Sequence, residues 1–292
     1  MDKSLFMPPF NFGALWEDYS EYEKSGVVVL PVPYDGTATY KKGTGEGPYA
    51  IIKASRDLEP YDSELDAYPA EKGIHTLNFM WPASDSPGRM VEHIHKAVAP
   101  VVQARKKLVM LGGEHTITLG AVRAFSEAYK DLSVLQIDAH ADCYENFEGG
   151  DIVHNTVIRR CSEICPVTQV GVRTLSEEEK EFLNNTDKVR TFYAKELHGM
   201  KDWCRQAVSS LSDNVYVTFD LDGLDPSIMP AVGTPEPNGL SWQDVMELFS
   251  ALQKSGKNVV GFDVVELNPL PGNITPDFIA AKLVQRMIGM LF

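Results

Sequence analysis

Apolar and polar positions alternate along this chain with two different periods. Short runs dense in Val, Leu and Ile occur at 26–31, 107–111, 132–137, 167–171, 188–192, 214–219 and 258–264, with a weaker run at 74–77. Runs of that length, bounded by turn-forming residues, predict strands buried on both faces. Between them, apolar residues recur at helical spacing over 49–58, 89–105, 116–128, 154–164, 176–184, 195–210, 241–254 and 276–290. The alternation predicts an α/β fold, a three-layer α/β/α sandwich around a mainly parallel sheet of about eight strands. No Ser- or Gly-rich linker divides the series, so residues 1–292 are expected to form one domain, with 1–25 as an irregular N-terminal segment.

Ligands of such sheets bind beyond the carboxyl ends of the strands, and there the chain concentrates acids and histidines. The run 132–137 continues into Asp138-Ala-His140-Ala-Asp142. In extended backbone, residues two apart point the same way about 6.5 Å from one another, which would bring these three side chains onto one volume. Two carboxylates and an imidazole placed so repel one another and lose hydration unless a cation lies among them. The run 107–111 ends in Gly112-Gly113-Glu114-His115, where paired glycines permit a sharp turn that would set His115 over the end of the sheet. The run 214–219 ends in Asp220-Leu-Asp222-Gly-Leu-Asp225-Pro226; Asp220 and Asp222 share a face, and Asp225 reads as a turn residue. His115, Asp138, His140, Asp142, Asp220 and Asp222 exceed what one tetrahedral ion needs and suit two ions about 3.5 to 4 Å apart that share bridging carboxylates. Carboxylates and imidazoles without a thiolate favour a hard or borderline cation such as Mn(II) over structural zinc. The glycine-rich loop Gly43-Thr-Gly-Glu-Gly47-Pro48 lacks nucleotide-binding spacing and reads as a loop that shapes the site. His93 and His95, two apart in a helix, point to different faces and read as surface or packing residues.

The stretches Leu111-Gly-Gly-Glu-His115, Asp138-Ala-His-Ala-Asp142 and Thr218-Phe-Asp-Leu-Asp-Gly-Leu-Asp-Pro226, followed by Gly233-Thr-Pro235 and Gly239, resemble in order the three signatures of the ureohydrolases, the arginase and agmatinase family. The resemblance runs from about Pro31 to the carboxyl terminus. It implies the same sandwich fold, a homotrimer or homohexamer, and two Mn(II) per subunit. His115, Asp138, Asp142 and Asp220 would hold one ion, and Asp138, His140, Asp220 and Asp222 the other. It implies hydrolysis of a guanidino group to urea, with Asp142 passing a proton to the departing amine, His154 shuttling protons and Glu266 pairing with the substrate guanidinium. The family usually has Gly after that histidine, whereas Asn155 follows here. The alternatives are a helix-start residue bonded to backbone for His154 and a surface carboxylate for Glu266. Asp263 is expected to be structural.

Charge bears on the substrate. The 41 acids against 27 bases give a net charge of −14, which disfavours nucleic acid and anionic membranes and favours a small cationic substrate. Arginase resemblance would call for an Asn two residues after Asp142 and an acid after the Gly-Val-Arg173 strand end; this chain has Tyr144 and Thr174-Leu175-Ser176. The loop from Asp142 to Asp151 carries Glu145, Glu148 and Asp151 with no Lys or Arg. With Tyr144, these residues are expected to receive an alkylamine tail. Agmatine, cleaved to putrescine and urea in polyamine biosynthesis, is the leading expectation. N1-aminopropylagmatine, a guanidino acid and formiminoglutamate are the alternatives within the family. A catalytically silent polyamine- or metal-binding homologue is the reading from another class. Cys143, Cys161, Cys165 and Cys204 form no Cys-x-x-Cys pair, no stretch is apolar for a membrane span, and Pro8, Pro9 and the acids from Glu17 break any signal-peptide core. A cytoplasmic protein with reduced thiols is expected.

Overall fold

The computed structural model describes residues 5–83, 86–197 and 199–292. Its strands are β1 (Val27–Val32), β2 (Ile74–Thr76), β3 (Lys107–Gly112), β4 (Leu132–Ile137), β5 (Val167–Val172), β6 (Val189–Tyr193), β7 (Asn214–Asp220) and β8 (Asn258–Val265). They form one parallel sheet in the order β2-β1-β3-β8-β7-β4-β5-β6. Every strand lies within one residue of its expected bounds. Helices cover both faces, which gives the expected three-layer α/β/α sandwich.

Strand alternation sorts the apolar residues into two cores. In β1, Val27 and Val29 face one core, while Val28, Leu30 and Val32 face the other. The first is closed by the helices Gly47–Ser55, Trp203–Ser209, Trp242–Lys254 and Thr275–Leu291, the second by Pro87–Gln103, Thr118–Ala128 and Val157–Ser162. The helix Pro87–Gln103 shows why such segments dock. Ser86 caps it by accepting the Arg89 amide hydrogen at 3.3 Å, and Met90, Val91, Ile94, Val98, Val101 and Val102 form its buried stripe. Burying each such side chain contributes about 1.5 to 3 kcal/mol. His93 is exposed, and His95 meets Glu127 at 2.9 Å, away from the sheet ends.

Three expectations need correction. The N-terminal segment is not wholly irregular, since it contains a 3-10 turn at Phe12–Ala14 and a helix at Glu17–Ser20. The single helix expected over 195–210, a range that crosses residue 198 outside the described set, is instead two helices, Ala194–Leu197 and Trp203–Ser209. Asp202 ahead of the second has φ 55°, a left-handed conformation that an uninterrupted helix does not admit. The helix expected from 154 opens as a 3-10 turn, His154–Thr156, before Val157–Ser162.

Register positions the site. Leu111 of β3 pairs with Val264 of β8, Val264 with Phe219 of β7, and Phe219 with Ile137 of β4. Four neighbouring central strands therefore end along one row, and the residues just past it are Glu266, Asp220 and Asp138, with His115 beyond the two glycines. At about 4.8 Å per strand, β3 and β4 lie roughly 14 Å apart. The chain leaving β3 must bend across β8 to join the others.

Candidate active site

Gly112 and Gly113 make that bend. A side chain at Gly113 would collide with the Tyr34 carbonyl oxygen, and one at Gly112 would lie 2.5 Å from Ile117 and 2.6 Å from Val265. The bend is pinned from both sides: the Glu266 amide donates to Gly113 O at 2.8 Å, and the His115 amide donates to Glu266 Oε1 at 2.8 Å. His115 is thereby carried over the end of β8 to the acids of β4 and β7.

Its Nδ1 lies 3.1 Å from Asp138 Oδ2, 3.1 Å from Asp142 Oδ2 and 3.3 Å from Asp220 Oδ2. His140 Nδ1 lies 2.9 Å from Asp222 Oδ2 and 3.6 Å from Asp138 Oδ1. Two groups could each hold a cation, His115/Asp138/Asp220 and Asp138/His140/Asp222, and they share Asp138. The backbone reaches this arrangement differently from the extended strand expected. β4 stops at Ile137, Asp142 has φ 53°, and Asp222 lies in the 3-10 turn Leu221–Gly223. The carboxylates fold the turns themselves. Asp138 Oδ1 accepts the His140 amide hydrogen at 2.6 Å, Asp220 Oδ1 that of Asp222 at 2.9 Å, and Asp222 Oδ1 that of Ala139 at 3.1 Å.

The tautomer of His115 can be worked out from its far side. Asp263 is buried and accepts from Thr218 Oγ1 at 2.6 Å, Tyr216 OH at 2.8 Å and Thr118 Oγ1 at 2.9 Å. The Thr218 hydroxyl spends its proton on Asp263, so at 2.8 Å it accepts from His115 Nε2–H. In the neutral imidazole, the form a cation would bind, Nδ1 is then the lone pair; it is buried and faces the three carboxylates without a well-formed hydrogen bond among the described residues. A lone pair aimed at three carboxylate oxygens is repulsive unless a cation sits between them. The donor set therefore fits divalent cations.

Electrostatics agree. Burial pushes His115 and His140 down, but the carboxylates outweigh it and hold both well above the ordinary histidine value: Asp138, Asp142 and Asp220 for the first, Asp222 and Asp138 for the second. Burial and the charge of Asp138 push Asp142 up to about 7, and burial with the charges of Asp222 and Asp138 pushes Asp220 well up. Burial would also raise Asp138, but the two imidazoles lower it. Without a cation, the cluster keeps protons in its place.

His154 and Glu266 both reach the cavity, which has a volume of ≈ 370 Å³ and is also lined by Thr39, Lys41, Tyr144, Phe147, Asn155 and Glu179. The His154 ring meets hydroxyls, with Nδ1 3.3 Å from Thr37 Oγ1 and Nε2 3.3 Å from Thr39 Oγ1. Burial, then the positive charges of His115 and His140, push it down to about 4. Glu266 is pushed well above the usual carboxylate range by burial and the charge of Glu114. Asp225 is the expected turn residue, accepting from the amides of Ser227 and Gly239 at 3.0 Å each.

The acidic loop divides. Tyr144 lines the cavity, but Glu145, Glu148 and Asp151 are absent from its lining. Glu145 faces Arg159 and lies 3.4 Å from Arg160, cations contributed by the following helix rather than by the loop. Sequence reasoning missed Glu114, which accepts from the Thr37 amide at 2.6 Å, Thr37 Oγ1 at 2.5 Å and Thr116 Oγ1 at 2.7 Å, and so fixes the hydroxyl beside His154. Its place in the Gly-Gly-Glu-His run was the available signal. Arg173 was also missed. Its guanidinium donates to the carbonyls of Asp222 (2.6 Å), Gly223 (3.2 Å) and Leu224 (3.2 Å), locking the turn that carries Asp222.

A parallel sandwich whose central strands end in two carboxylate–imidazole groups with one shared carboxylate has the form of a binuclear metallohydrolase centre. The Arginase family model matches residues 25–289. An N(1)-aminopropylagmatine ureohydrolase from Synechocystis sp. is 37% identical over 94% of this chain and 91% of its own length. An agmatinase from Halalkalibacterium halodurans is 33% identical over 92% and 93%. The crystal structure of agmatine ureohydrolase of Thermoplasma volcanium superimposes with a TM-score of 0.86 at 32% identity, covering 99% of this chain and 96% of that one. The chain belongs to the arginase family. It is a hydrolase acting on guanidino carbon–nitrogen bonds.

Proposed function

We propose that the chain hydrolyses an amine-tailed guanidine, N1-aminopropylagmatine or agmatine, to urea and the corresponding polyamine, using two Mn(II). The observation that carries the chemistry is the unpaired His115 Nδ1 among three carboxylates, beside a second group sharing Asp138. In this reading His115, Asp138, His140, Asp142, Asp220 and Asp222 are the ligands. When bound, two divalent cations supply the nucleophile by making a water acidic enough to lose its proton near neutral pH. Glu266, with Oε1 held by the His115 amide, uses Oε2 to orient the guanidinium. Asp142 takes up the proton that the water loses and passes it to the departing nitrogen as the carbon–nitrogen bond to the tail breaks, and His154, steadied by Thr37 and Thr39, relays the second proton, which turns the released amine into an ammonium.

Two observations support an amine tail of either length. The relatives named above include both activities. A second cavity of ≈ 610 Å³, lined by Glu148, shares Ala38, Thr39 and Phe147 with the first and offers room for an aminopropyl extension. Lys41 on the lining favours the rival reading, a guanidino acid. Urea release from Mn(II)-loaded protein offered N1-aminopropylagmatine, agmatine, arginine and 4-guanidinobutyrate side by side decides between them. Preference for either amine supports the proposal, and preference for either acid overturns it.

A single-domain, cytoplasmic homotrimer or homohexamer goes with this reading. Four free cysteines and the exposed apolar side chains of Leu5, Phe6, Met7 and Phe10 support it. Among the described residues, no helix is long and apolar enough to cross a membrane. Light scattering on the eluting protein tests the assembly.

A further inference from the structure

Asn155 occupies the position after His154, lines the cavity, and has a buried side-chain oxygen with no hydrogen-bond partner among the described residues. Its backbone is fixed: its carbonyl accepts the Tyr144 amide hydrogen at 3.2 Å, and the His154 amide donates to Thr37 Oγ1 at 3.2 Å. Tyr144 and Phe147 stand beside it with ring centroids 5.4 Å apart, and Phe147 meets the His154 ring edge-on at 6.4 Å. A carboxamide on a fixed backbone, its oxygen unpartnered, with two aromatic rings on the lining of the same cavity, can receive an alkylammonium through one charge-assisted hydrogen bond and the negative faces of the rings. The acidic loop residues do not supply this contact, because Glu145, Glu148 and Asp151 lie off the lining.

We propose that Asn155, with Tyr144 and Phe147, binds the ammonium group of the substrate tail nearest the guanidine and so selects amine-tailed guanidines. This rests on the proposed function and assigns the tail's recognition to a neutral carboxamide and aromatic rings. The carboxamide contributes a single hydrogen bond to a charged partner, whose loss corresponds to about 10- to 100-fold in binding.

The test compares agmatine with butylguanidine, which has the same chain without the amine, in Mn(II)-loaded wild type, Asn155→Ala and Asn155→Asp, with metal content measured for each. The kcat/KM preference for agmatine over butylguanidine is expected to fall about 10-fold or more in Asn155→Ala, through KM, and to return or exceed wild type in Asn155→Asp, which keeps an oxygen in place and adds charge. An unchanged preference in Asn155→Ala overturns the inference, as does an Asn155→Asp variant weaker toward agmatine than Asn155→Ala. A wild type that prefers 4-guanidinobutyrate overturns the proposed function and this inference together, whereas a wild type that prefers agmatine with a flat Asn155→Ala result overturns the inference alone.

Discussion

Thr218→Val is the sharpest probe of how the fold prepares its ligands. The Thr218 hydroxyl accepts from His115 Nε2–H at 2.8 Å, donates to Asp263 at 2.6 Å and lies 3.2 Å from Thr118 Oγ1. Valine has the same shape without the hydroxyl. The change strands a buried Nε2–H and removes one of three donors to Asp263, which keeps Tyr216 and Thr118. An unsatisfied buried donor costs about 1 to 3 kcal/mol of stability. Outer partners of a ligating histidine are worth about 10- to 100-fold in metal affinity, or roughly 1.4 to 2.7 kcal/mol. Nothing then fixes the tautomer, so Nδ1 no longer presents its lone pair reliably to the carboxylates. Mn(II) competition against a calibrated chelator, with circular dichroism to confirm the fold, reads the effect. Wild-type Mn(II) affinity in a folded Thr218→Val protein would refute the tautomer argument.

Asp138→Asn is expected to lose both cations and activity, because Asp138 belongs to both groups, while Asp220→Asn should also abolish turnover; near-normal Mn(II) content and turnover in either variant would sink the ligand assignment. His154→Ala should lower kcat by about 10²- to 10⁴-fold, the range for a lost general acid or base, with two Mn(II) still bound; metal loss would make it a ligand or structural residue instead. For the chelator-stripped protein, thermal stability should fall as pH rises from 5 to 8. Asp142 at about 7 keeps a proton in the folded state that the unfolded chain has lost above about 4, and the raised histidines lose their stabilising contribution as pH rises through their folded values. The lowered His154 acts in the opposite sense only below its unfolded value. Saturating Mn(II) should reverse the trend because cation binding displaces those protons; a melting temperature of the stripped protein that climbs over this range contradicts the cluster's charge balance.

The alternation of strands and helices was readable in the sequence because each element buries its own apolar face, a local property of spacing. The residue types of the carboxylate–imidazole cluster were readable too, since such groups just past apolar strands are costly to bury without a counter-charge. The route by which they converge was not. Strand alternation was expected to align Asp138, His140 and Asp142, yet the strand stops at Ile137 and carboxylate-to-amide bonds shape the turn. The surroundings of the acidic loop were not readable for a related reason: Glu145 is drawn to Arg159 and Arg160 on the next helix, a pairing that depends on how the loop folds back. Thr218, Asp263, Glu114 and Arg173 act through partners as far as 145 residues away in the chain for the Thr118–Asp263 bond. The sequence determined which carboxylates and imidazoles would crowd together and roughly where in the sheet they would lie. Only the tertiary structure decided which nitrogen of His115 faces the carboxylates, which acids line the cavity and which carboxamide is left unpaired, because those depend on strand order and register.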